Sequence, residues 1–159
     1  MLVYAVNYRS CEPVPDPAPL LADPRVAGYL VGWPRAGDIG VIGERASCES
    51  SSEEVGACWL RYRCATSPGF GYLSSTVPEV TLAVAIDARG NGYGRALLRE
   101  LTSAAADAGI AALSLNVERS NTPARALYLS EGWRTVCTDD DSDTLVRHLH
   151  RPRRGATNR

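Results

Sequence analysis

The sequence contains no lysine, and all 17 of its basic residues are arginine. No side-chain amine is therefore present for a Schiff base or for self-acylation. A P-loop nucleotidase of the usual kind is also excluded, because its motif needs a lysine on the phosphates. No apolar run approaches the roughly 18 residues of a membrane span. The formal net charge of −1 gives no general electrostatic case for binding nucleic acid.

Histidine is scarce, and the cysteines follow no metal-binding spacing. The two histidines, His148 and His150, lie near the C-terminus, and none of the five cysteines forms a C-x-x-C pair. The sequence therefore predicts no zinc or other metal site. The first residues also lack the basic region and the long apolar stretch of a secretory signal. We accordingly expect a cytoplasmic protein with no membrane contact.

The composition is that of a folded domain. Hydrophobic residues make up 45% of the 159 residues and charged residues 22%, which is ordinary for a globular chain of one domain. We expect a single domain over residues 1–150, with a variable N-terminal part at 1–36. Residues 151–159 are rich in arginine, and we expect them to form a flexible tail.

Hydrophobic periodicity changes twice in the second half of the chain. Residues 79–86 form an apolar, β-branched run typical of a buried strand. Residues 97–108 repeat leucine and alanine along one face of a helix that Gly109 would end. Residues 111–118 then alternate between apolar and polar side chains, as a strand does. The order hairpin, strand, helix, strand, helix, hairpin predicts an α/β fold, a mixed sandwich around one central sheet.

A glycine-rich segment, residues 89–95, connects the predicted buried strand to the predicted helix. Its glycines allow a tight turn that aims backbone N–H groups outward at a helix N-terminus, where the dipole also favours anions. This predicts a pocket for a phosphate or a pyrophosphate, with a simple strand-to-helix turn as the alternative. The spacing differs from the dinucleotide fingerprint, because Arg95 stands where its last glycine belongs.

Two segments resemble the signatures of one family. Residues 89–94, RGNGYG, resemble the R/Q-x-x-G-x-G/A pyrophosphate loop of the GCN5-related N-acetyltransferases, the GNAT family. Residues 121–133, NTPARALYLSEGW, are similar to the family's second signature, N-x-x-A-x-x-L-Y-x-x-x-G-F. The resemblance implies a mixed central sheet with helices on both faces and strands splayed around an acetyl-CoA cleft. It also implies an enzyme that moves an acetyl group from acetyl-CoA to a primary amine.

The resemblance implies where acetyl-CoA binds. Backbone groups of the strand at 82–84 would pair with the pantetheine like an added strand, and amides of the glycine loop would hold the pyrophosphate. Asn121 matches a position near the pantetheine, and it also reads as a helix N-cap. The implied cofactor-binding residues are Leu82, Ala83, Val84, Arg89, Gly90, Asn91, Gly92, Tyr93, Gly94, Arg95 and Asn121.

The resemblance also implies catalytic residues. Tyr128 matches the family's usual general acid, which protonates the departing thiolate. The general base is left open between Glu79, Glu118 and a chain of water molecules. Glu79 lies three residues before Leu82, where many members place a glutamate four before, and one residue reverses the face of a strand. In ribosomal-protein N-terminal acetyltransferases a glutamate matches Asn116, and this amide puts that activity in question.

The acceptor would be a small molecule or a peptide, bound by the N-terminal segment and the hairpin loops. Arg61 and Arg63 alternate along one strand, either to meet an anionic group or, as the simpler expectation, to form a solvated face. Aromatic residues that could line the acceptor pocket or simply pack are Tyr29, Trp33, Trp59, Tyr62 and Tyr72.

Two other functions compete with the enzyme. A GNAT-like module without an effective base would bind acyl-CoA and not turn it over. A nucleic-acid-binding protein would use the arginine-rich tail, although such tails are usually only solvated. The residues concerned are Arg147, Arg151, Arg153, Arg154 and Arg159. We expect no nucleic-acid partner, and a homodimer is compatible with the sequence.

Overall fold

In the part of the chain that the structure describes, six strands form one mixed sheet, and helices cover both of its faces. The computed structural model describes residues 18–46 and 52–150, so the tail predicted at 151–159 lies outside the described residues. The strands are β1 (Ile39–Ala46), β2 (Ser52–Arg61), β3 (Glu79–Val84), β4 (Ala112–Glu118), β5 (Arg134–Thr138) and β6 (Ser142–His148). The helices are α1 (Ala18–Leu21), α2 (Pro24–Ala27), α3 (Tyr93–Asp107) and α4 (Thr122–Ser130), with a short 3-10 turn at Ile86–Ala88.

The strand order is β1-β2-β3-β4-β6-β5. Strands β3 and β4 pair in parallel, and the other neighbours run antiparallel. The predicted α/β order, with a hairpin at each end, is confirmed, whereas the extent of the domain stays a prediction. Among the helices in the described part of the chain, none is both long enough and apolar enough to cross a bilayer.

Alternation along β2 divides the core between the two faces of the sheet. Cys58 and Leu60 point to the face covered by α3, where Leu101 is buried with them. Trp59 points to the opposite face, where a smaller apolar cluster includes Val26 of α2. Because the two faces meet different helices, the face on which a strand residue lies decides which helices it contacts.

Two glycines set the limits of α3. Gly92 precedes the helix with φ of 85°, a left-handed conformation that glycine adopts without strain. Gly109 follows it with φ of 81°. The N–H groups of Gly109 and Ile110 donate to the carbonyl oxygens of Ala106 and Ala105, each at 3.0 Å. These two bonds form a Schellman ending, so the stop predicted at Gly109 is confirmed.

Arg61 is a buried ion-pair residue, which corrects the expectation of a solvated strand face. Its side chain is 1% exposed, and its Nη2 lies 2.7 Å from Oδ2 of Asp38. Its Nη1 donates to the carbonyl oxygens of Gly28 at 3.0 Å and Val31 at 2.9 Å. Because a buried charge is stable only when paired and hydrogen-bonded, Arg61 fastens the segment after α2 to β2.

Candidate active site

A gap opens in the sheet between β3 and β4. The two strands are in register at the single pair Glu79 and Ser114, where the Ser114 N–H donates to the carbonyl of Pro78 at 3.0 Å. Backbone groups of alternate residues point to the same side of a strand, so Leu82 and Val84 turn their N–H and C=O groups toward β4. Because the strands diverge after the first pair, a cleft of about 760 Å³ lies in front of these groups.

The loop between β3 and α3 forms one end of the cleft. Gly90 and Gly92 have φ of 77° and 85°, and a Cβ at either would meet no atom within 4 Å. The backbone conformation, and not crowding, therefore favours glycine there. Asn91 closes the turn, since its Nδ2 donates to the carbonyl oxygens of Ala88 at 3.3 Å and Arg89 at 3.2 Å. The first N–H groups of α3 have no acceptor within the helix, so the loop offers donors beside open space, which suits a phosphate.

Glu79 lies at the narrow end of the gap, on the cleft wall, and is 2% exposed. Its Oε1 accepts hydrogen bonds from the Tyr29 hydroxyl and, at 2.6 Å, from the Gly71 N–H. Its Oε2 is buried with no hydrogen-bond partner. Burial raises the pKa of the Glu79 carboxyl, and the hydrogen bonds from Tyr29 and Gly71 oppose that rise. One oxygen of this carboxyl group is thus held by two hydrogen bonds, and the other is buried beneath Gly69, where an added Cβ would lie 1.8 Å from it.

Tyr128 reaches the same cleft from the other face of the sheet. It lies on α4 and belongs to the core cluster under α3, whereas the partner of Glu79, Tyr29, belongs to the cluster at α2. Its ring meets that of Trp133 edge to face, with centroids 6.0 Å apart. Burial raises the pKa of the Tyr128 hydroxyl, so the group keeps its proton at neutral pH. The cleft therefore has a carboxyl group on one side and a phenol on the other.

Four further polar residues line the cleft along β4 and before α4, namely Asn116, Glu118, Ser120 and Asn121. Asn121 is the N-cap of α4, and its Oδ1 accepts a backbone N–H of the first turn at 3.3 Å. Glu118 is half-buried, and its Oε2 accepts from the Ser120 hydroxyl at 3.4 Å. Asn116, on the same face, donates through Nδ2 to Oγ of Ser142 at 2.9 Å. Glu118 is therefore the competing carboxyl group at the cleft.

Comparison with known proteins decides the family. The sequence profile of the acetyltransferase (GNAT) family matches residues 15–133, three quarters of the chain. The chain belongs to the GNAT family. No protein of curated function matches its sequence.

Solved structures of proteins named as acetyltransferases share the fold of this chain. The ribosomal-protein-alanine N-acetyltransferase from Brucella melitensis is 23% identical, with a TM-score of 0.61 over 86% of this chain and 81% of that chain. The IAA acetyltransferase from Bacillus cereus ATCC 14579 is 20% identical, with a TM-score of 0.59 over 82% of this chain and 89% of that chain. The PaiA N-acetyltransferase from Thermoplasma acidophilum, solved with coenzyme A, is 18% identical, with a TM-score of 0.54 over 70% and 61%.

Most residues predicted to bind acetyl-CoA in this GNAT chain lie together. Those that line the cleft are Leu82, Val84, Arg89, Gly90, Gly92, Gly94, Arg95 and Asn121. Ala83 is buried in the cluster at α2, and strand alternation turns its backbone toward β2. The side chains of Asn91 and Tyr93 do not line the cleft, so contacts from these two residues would come through the backbone.

The two arginines at the cleft already have partners within the protein. Arg89 donates through Nε to the carbonyl of Val84 at 3.2 Å. Arg95 donates to the Glu131 carboxylate at the end of α4, and Arg99 binds the same carboxylate at 2.8 Å. These two guanidinium groups lower the pKa of the Glu131 carboxyl, and the hydrogen bond from Arg99 has the larger effect. The Arg95 side chain therefore links the start of α3 to the end of α4. If Arg95 contacts the pyrophosphate as predicted, the contact would come from its backbone N–H.

The cleft is lined by fewer of the candidate aromatic residues than the sequence analysis proposed. Of the five predicted candidates only Tyr29 lines the cleft, whereas Trp33, Trp59, Tyr62 and Tyr72 lie away from it. The indole Nε1 of Trp59 donates to the Tyr29 carbonyl at 3.2 Å, so Trp59 is a packing residue that supports Tyr29.

Phe70 is a cleft residue that the sequence analysis did not name. Its ring stacks on that of Tyr29, with centroids 6.3 Å apart, and its N–H donates to the Tyr29 hydroxyl oxygen at 2.8 Å. The guanidinium carbon of Arg25 lies 4.3 Å from the Phe70 centroid, and that of Arg63 lies 5.2 Å from the Tyr29 centroid. Arg63 is buried, which corrects the expectation that it would lie on a solvated face. The one available signal was a large apolar residue between two loop glycines.

Within the described residues, no three side chains among His, Cys, Asp and Glu are grouped so that they could hold a metal ion. The absence of a metal stays a prediction, as do the cytoplasmic location and the homodimer.

Proposed function

We propose that this GNAT protein transfers the acetyl group of acetyl-CoA to a primary amine by direct attack in a ternary complex. The observation that carries the proposal is the cleft through the sheet, which Glu79 lines on one side and Tyr128 on the other. A base and an acid on opposite sides of one gap suit an acyl transfer. The amine enters from one face of the sheet, and the thiol leaves toward the other.

The donor substrate fits the residues around the gap. The N–H groups of the loop after β3 face open space and suit the pyrophosphate. The gap-facing N–H and C=O groups of Leu82 and the N–H of Val84 suit the amides of the pantetheine, which would pair with β3 as an added strand. The Val84 carbonyl already accepts Nε of Arg89. The related Thermoplasma protein was solved in complex with coenzyme A, and this supports the same class of donor here.

The proposed chemistry balances with the two cleft residues. The amine nitrogen bonds to the acetyl carbonyl carbon while the Glu79 carboxylate accepts the amine proton. The carbon–sulfur bond then breaks, and Tyr128 gives its proton to the departing sulfur. Solvent returns a proton to Tyr128 and takes the one on Glu79, so the products are the acetylated amine and coenzyme A.

The acceptor class is a small molecule or a peptide. The Brucella relative is named for the alanine of a ribosomal protein, and the Thermoplasma relative is named PaiA N-acetyltransferase. Asn116 stands in this cleft at the position where the sequence comparison expects a glutamate in the ribosomal-protein enzymes. The set of candidate acceptors that is tested must therefore contain both peptides and small amines.

The direct test is the release of free thiol from acetyl-CoA in the presence of that panel. Thiol release that depends on an amine supports the proposal. Binding of acetyl-CoA without release by any amine favours the non-catalytic acyl-CoA module instead.

Acetyl-CoA is expected to raise the melting temperature, because it binds the native cleft and not the unfolded chain. At a concentration one hundred times Kd the free energy of unfolding should increase by about 2.7 kcal/mol. Thermal unfolding with and without acetyl-CoA measures the effect, and NAD is the control because the loop lacks the dinucleotide spacing. No shift with acetyl-CoA, or an equal shift with NAD, would contradict the donor assignment.

Gly92→Asp is expected to weaken acetyl-CoA binding at least about tenfold more than Gly92→Asn, a difference of about 1.4 kcal/mol. Both variants place a side chain at φ of 85°, where Asn and Asp are tolerated best. The comparison therefore isolates the charge, which repels the pyrophosphate. Calorimetric titration of the two folded variants measures it. Equal affinities would mean that the loop does not hold the pyrophosphate.

A further inference from the structure

The loop that carries Phe70 crosses the narrow end of the gap between β3 and β4. A Cβ added at Gly69 would collide with the Glu79 side chain at the start of β3, and one at Gly71 would lie 2.6 Å from the carbonyl carbon of Leu115 on β4. Phe70, between the two glycines, lines the cleft at this crossing and is 42% exposed. Part of its side chain is therefore accessible to a molecule in the cleft.

The narrow end of the cleft lies away from the glycine-rich loop at residues 89–95. Strand β3 separates the two, and its six residues span about 17 Å. A donor whose pyrophosphate lies at that loop and whose pantetheine runs along β3 carries its thioester toward Glu79. The acceptor must then meet the thioester from the narrow end, where Val26, Tyr29 and Phe70 line the cleft.

The aromatic rings at this end already face cations that belong to the protein. The guanidinium carbon of Arg25 lies 4.3 Å from the centroid of Phe70, and that of Arg63 lies 5.2 Å from the centroid of Tyr29. An aromatic face attracts a cation, and here the arginines occupy that interaction. Both also act on the reacting end, since burial raises the pKa of Glu79 and the charges of Arg63 and Arg25 oppose that rise.

We propose that Phe70 determines acceptor specificity and selects a small monoamine with an apolar alkyl or aryl substituent, an inference that rests on the acetyl transfer proposed above. The substituent packs against Phe70 and Val26 while the amine reaches the thioester. A diamine of the same length would place a second charge at this apolar wall. Removing that charge from water is costly, and the like charge of Arg25 adds to the cost.

The carboxylates of the cleft are not placed to bind a second ammonium group beside Phe70. Within the described residues, those that line the cleft are Glu79 and Glu118. Glu79 serves the reacting amine in the proposed mechanism, and its Oε1 already accepts two hydrogen bonds. Glu118 lies four residues beyond Ser114, the β4 partner of Glu79, and this is about 13 Å along the strand.

The test compares kcat/KM for hexylamine and cadaverine, measured by thiol release at saturating acetyl-CoA. Cadaverine has the length of hexylamine, with an ammonium group in place of the terminal methyl group. We expect the wild type to prefer hexylamine by at least about tenfold, within the range that one group in an apolar pocket gives. A wild type that prefers cadaverine, or that uses both equally, overturns the inference.

Phe70→Ala is expected to lower kcat/KM for hexylamine about tenfold, because the apolar contact is lost. The value for ethylamine, whose short chain offers Phe70 little surface, should stay within about twofold. Phe70→Leu should restore most of the hexylamine rate, since leucine keeps an apolar side chain. The backbone N–H of residue 70 can still donate to the Tyr29 hydroxyl in both variants. Equal losses with both amines would mean that Phe70 is only structural, and would overturn the inference.

Leu73→Ala is the matched control. Leu73 lies in the same connection between β2 and β3, is 40% exposed and does not line the cleft. Its hexylamine and ethylamine rates should match those of the wild type, and none of these variants should change the Kd of acetyl-CoA beyond about twofold. A loss of the hexylamine preference in Leu73→Ala would assign the effect to the loop as a whole and overturn the role of Phe70.

Arg25→Gln tests the charge separately, because Arg25 is exposed and its removal leaves the ring of Phe70 in place. The preference for hexylamine over cadaverine should fall about threefold, the scale of an interaction between exposed charges. A preference that does not fall overturns the selection against a second charge. Acetylation of peptides without turnover of any small amine also overturns the inference and leaves the proposed function standing. A wild type that acetylates no amine at all refutes the proposed function itself.

Discussion

Glu79→Gln is expected to lower kcat for amine acetylation by about 10²–10⁴-fold, the range typical for loss of a general base. The amide cannot take a proton from the amine, although it has the same shape as the carboxylate. If Glu79 is the base, the wild-type rate is expected to rise with pH as Glu79 ionises, and burial raises that pKa above the ordinary value for glutamate. In Glu79→Gln the rate should therefore be low at every pH, without the acidic limb, the rise that the ionisation of Glu79 causes on the acidic side of the profile.

The glutamine variant is well suited to the site. Its carbonyl oxygen can accept the Tyr29 hydroxyl and the Gly71 N–H just as Oε1 does, and its amide nitrogen takes the place of Oε2. We therefore expect the variant to fold and to be stabilised by acetyl-CoA as the wild type is. This stabilisation is the control that separates a lost base from a damaged cleft.

Glu118→Gln tests the competing carboxyl group in the same assay. Glu118 is half-buried at the end of β4, with the Ser120 hydroxyl 3.4 Å away, whereas Glu79 has a buried oxygen without a partner. We expect the larger loss in Glu79→Gln. The reverse order would assign the base to Glu118, and full activity in both variants would assign it to a chain of water molecules.

The elements around the glycine-rich loop, residues 89–95, are predictable because local rules set them. Gly92 and Gly109 adopt left-handed conformations at the two ends of α3, and leucines at helical spacing mark its buried face. Asn121 caps α4 as its position before the helix indicates. In each case the residue and its effect lie within a few positions of each other, so the sequence carries the information.

The acceptor side is harder to predict because its contacts join distant segments. The spacing of Glu79 before Leu82 placed it on an uncertain face. What brings it to the cleft is a hydrogen bond from Tyr29, 50 residues earlier, and a loop that folds back through Gly71. Phe70 was missed for the same reason, because only the packing against Tyr29 distinguishes it from any other loop aromatic.

Arg61 illustrates how a charged residue on a strand misleads. Alternation along β2 puts it on the same face as Trp59, yet a charged residue is usually taken as a sign of solvent exposure. That face is covered by α2 and the segment after it, and Asp38 supplies the carboxylate 2.7 Å away. Neither the covering segment nor the partner is visible in the strand itself.

Tyr128→Phe is the second variant with a large expected effect, a loss of about 10²–10⁴-fold in kcat. The change keeps the ring that packs on Trp133 and removes only the hydroxyl that would protonate the sulfur. KM for acetyl-CoA should change little, because the lost contact acts mainly in the transition state. A coenzyme A thiolate is a fair leaving group, with a thiol pKa near ~8.5 by comparison with cysteine, so the lower part of the range is expected.

The pH dependence distinguishes this loss from that in Glu79→Gln. Burial raises the pKa of Tyr128, so the hydroxyl is protonated throughout the range where Glu79 ionises. Tyr128→Phe should therefore lower the rate evenly and leave the acidic limb in place, whereas Glu79→Gln removes the limb. Steady-state rates of both variants across one pH series measure the difference. A Tyr128→Phe enzyme within about threefold of wild type would make Tyr128 a packing residue and leave protonation of the sulfur to water.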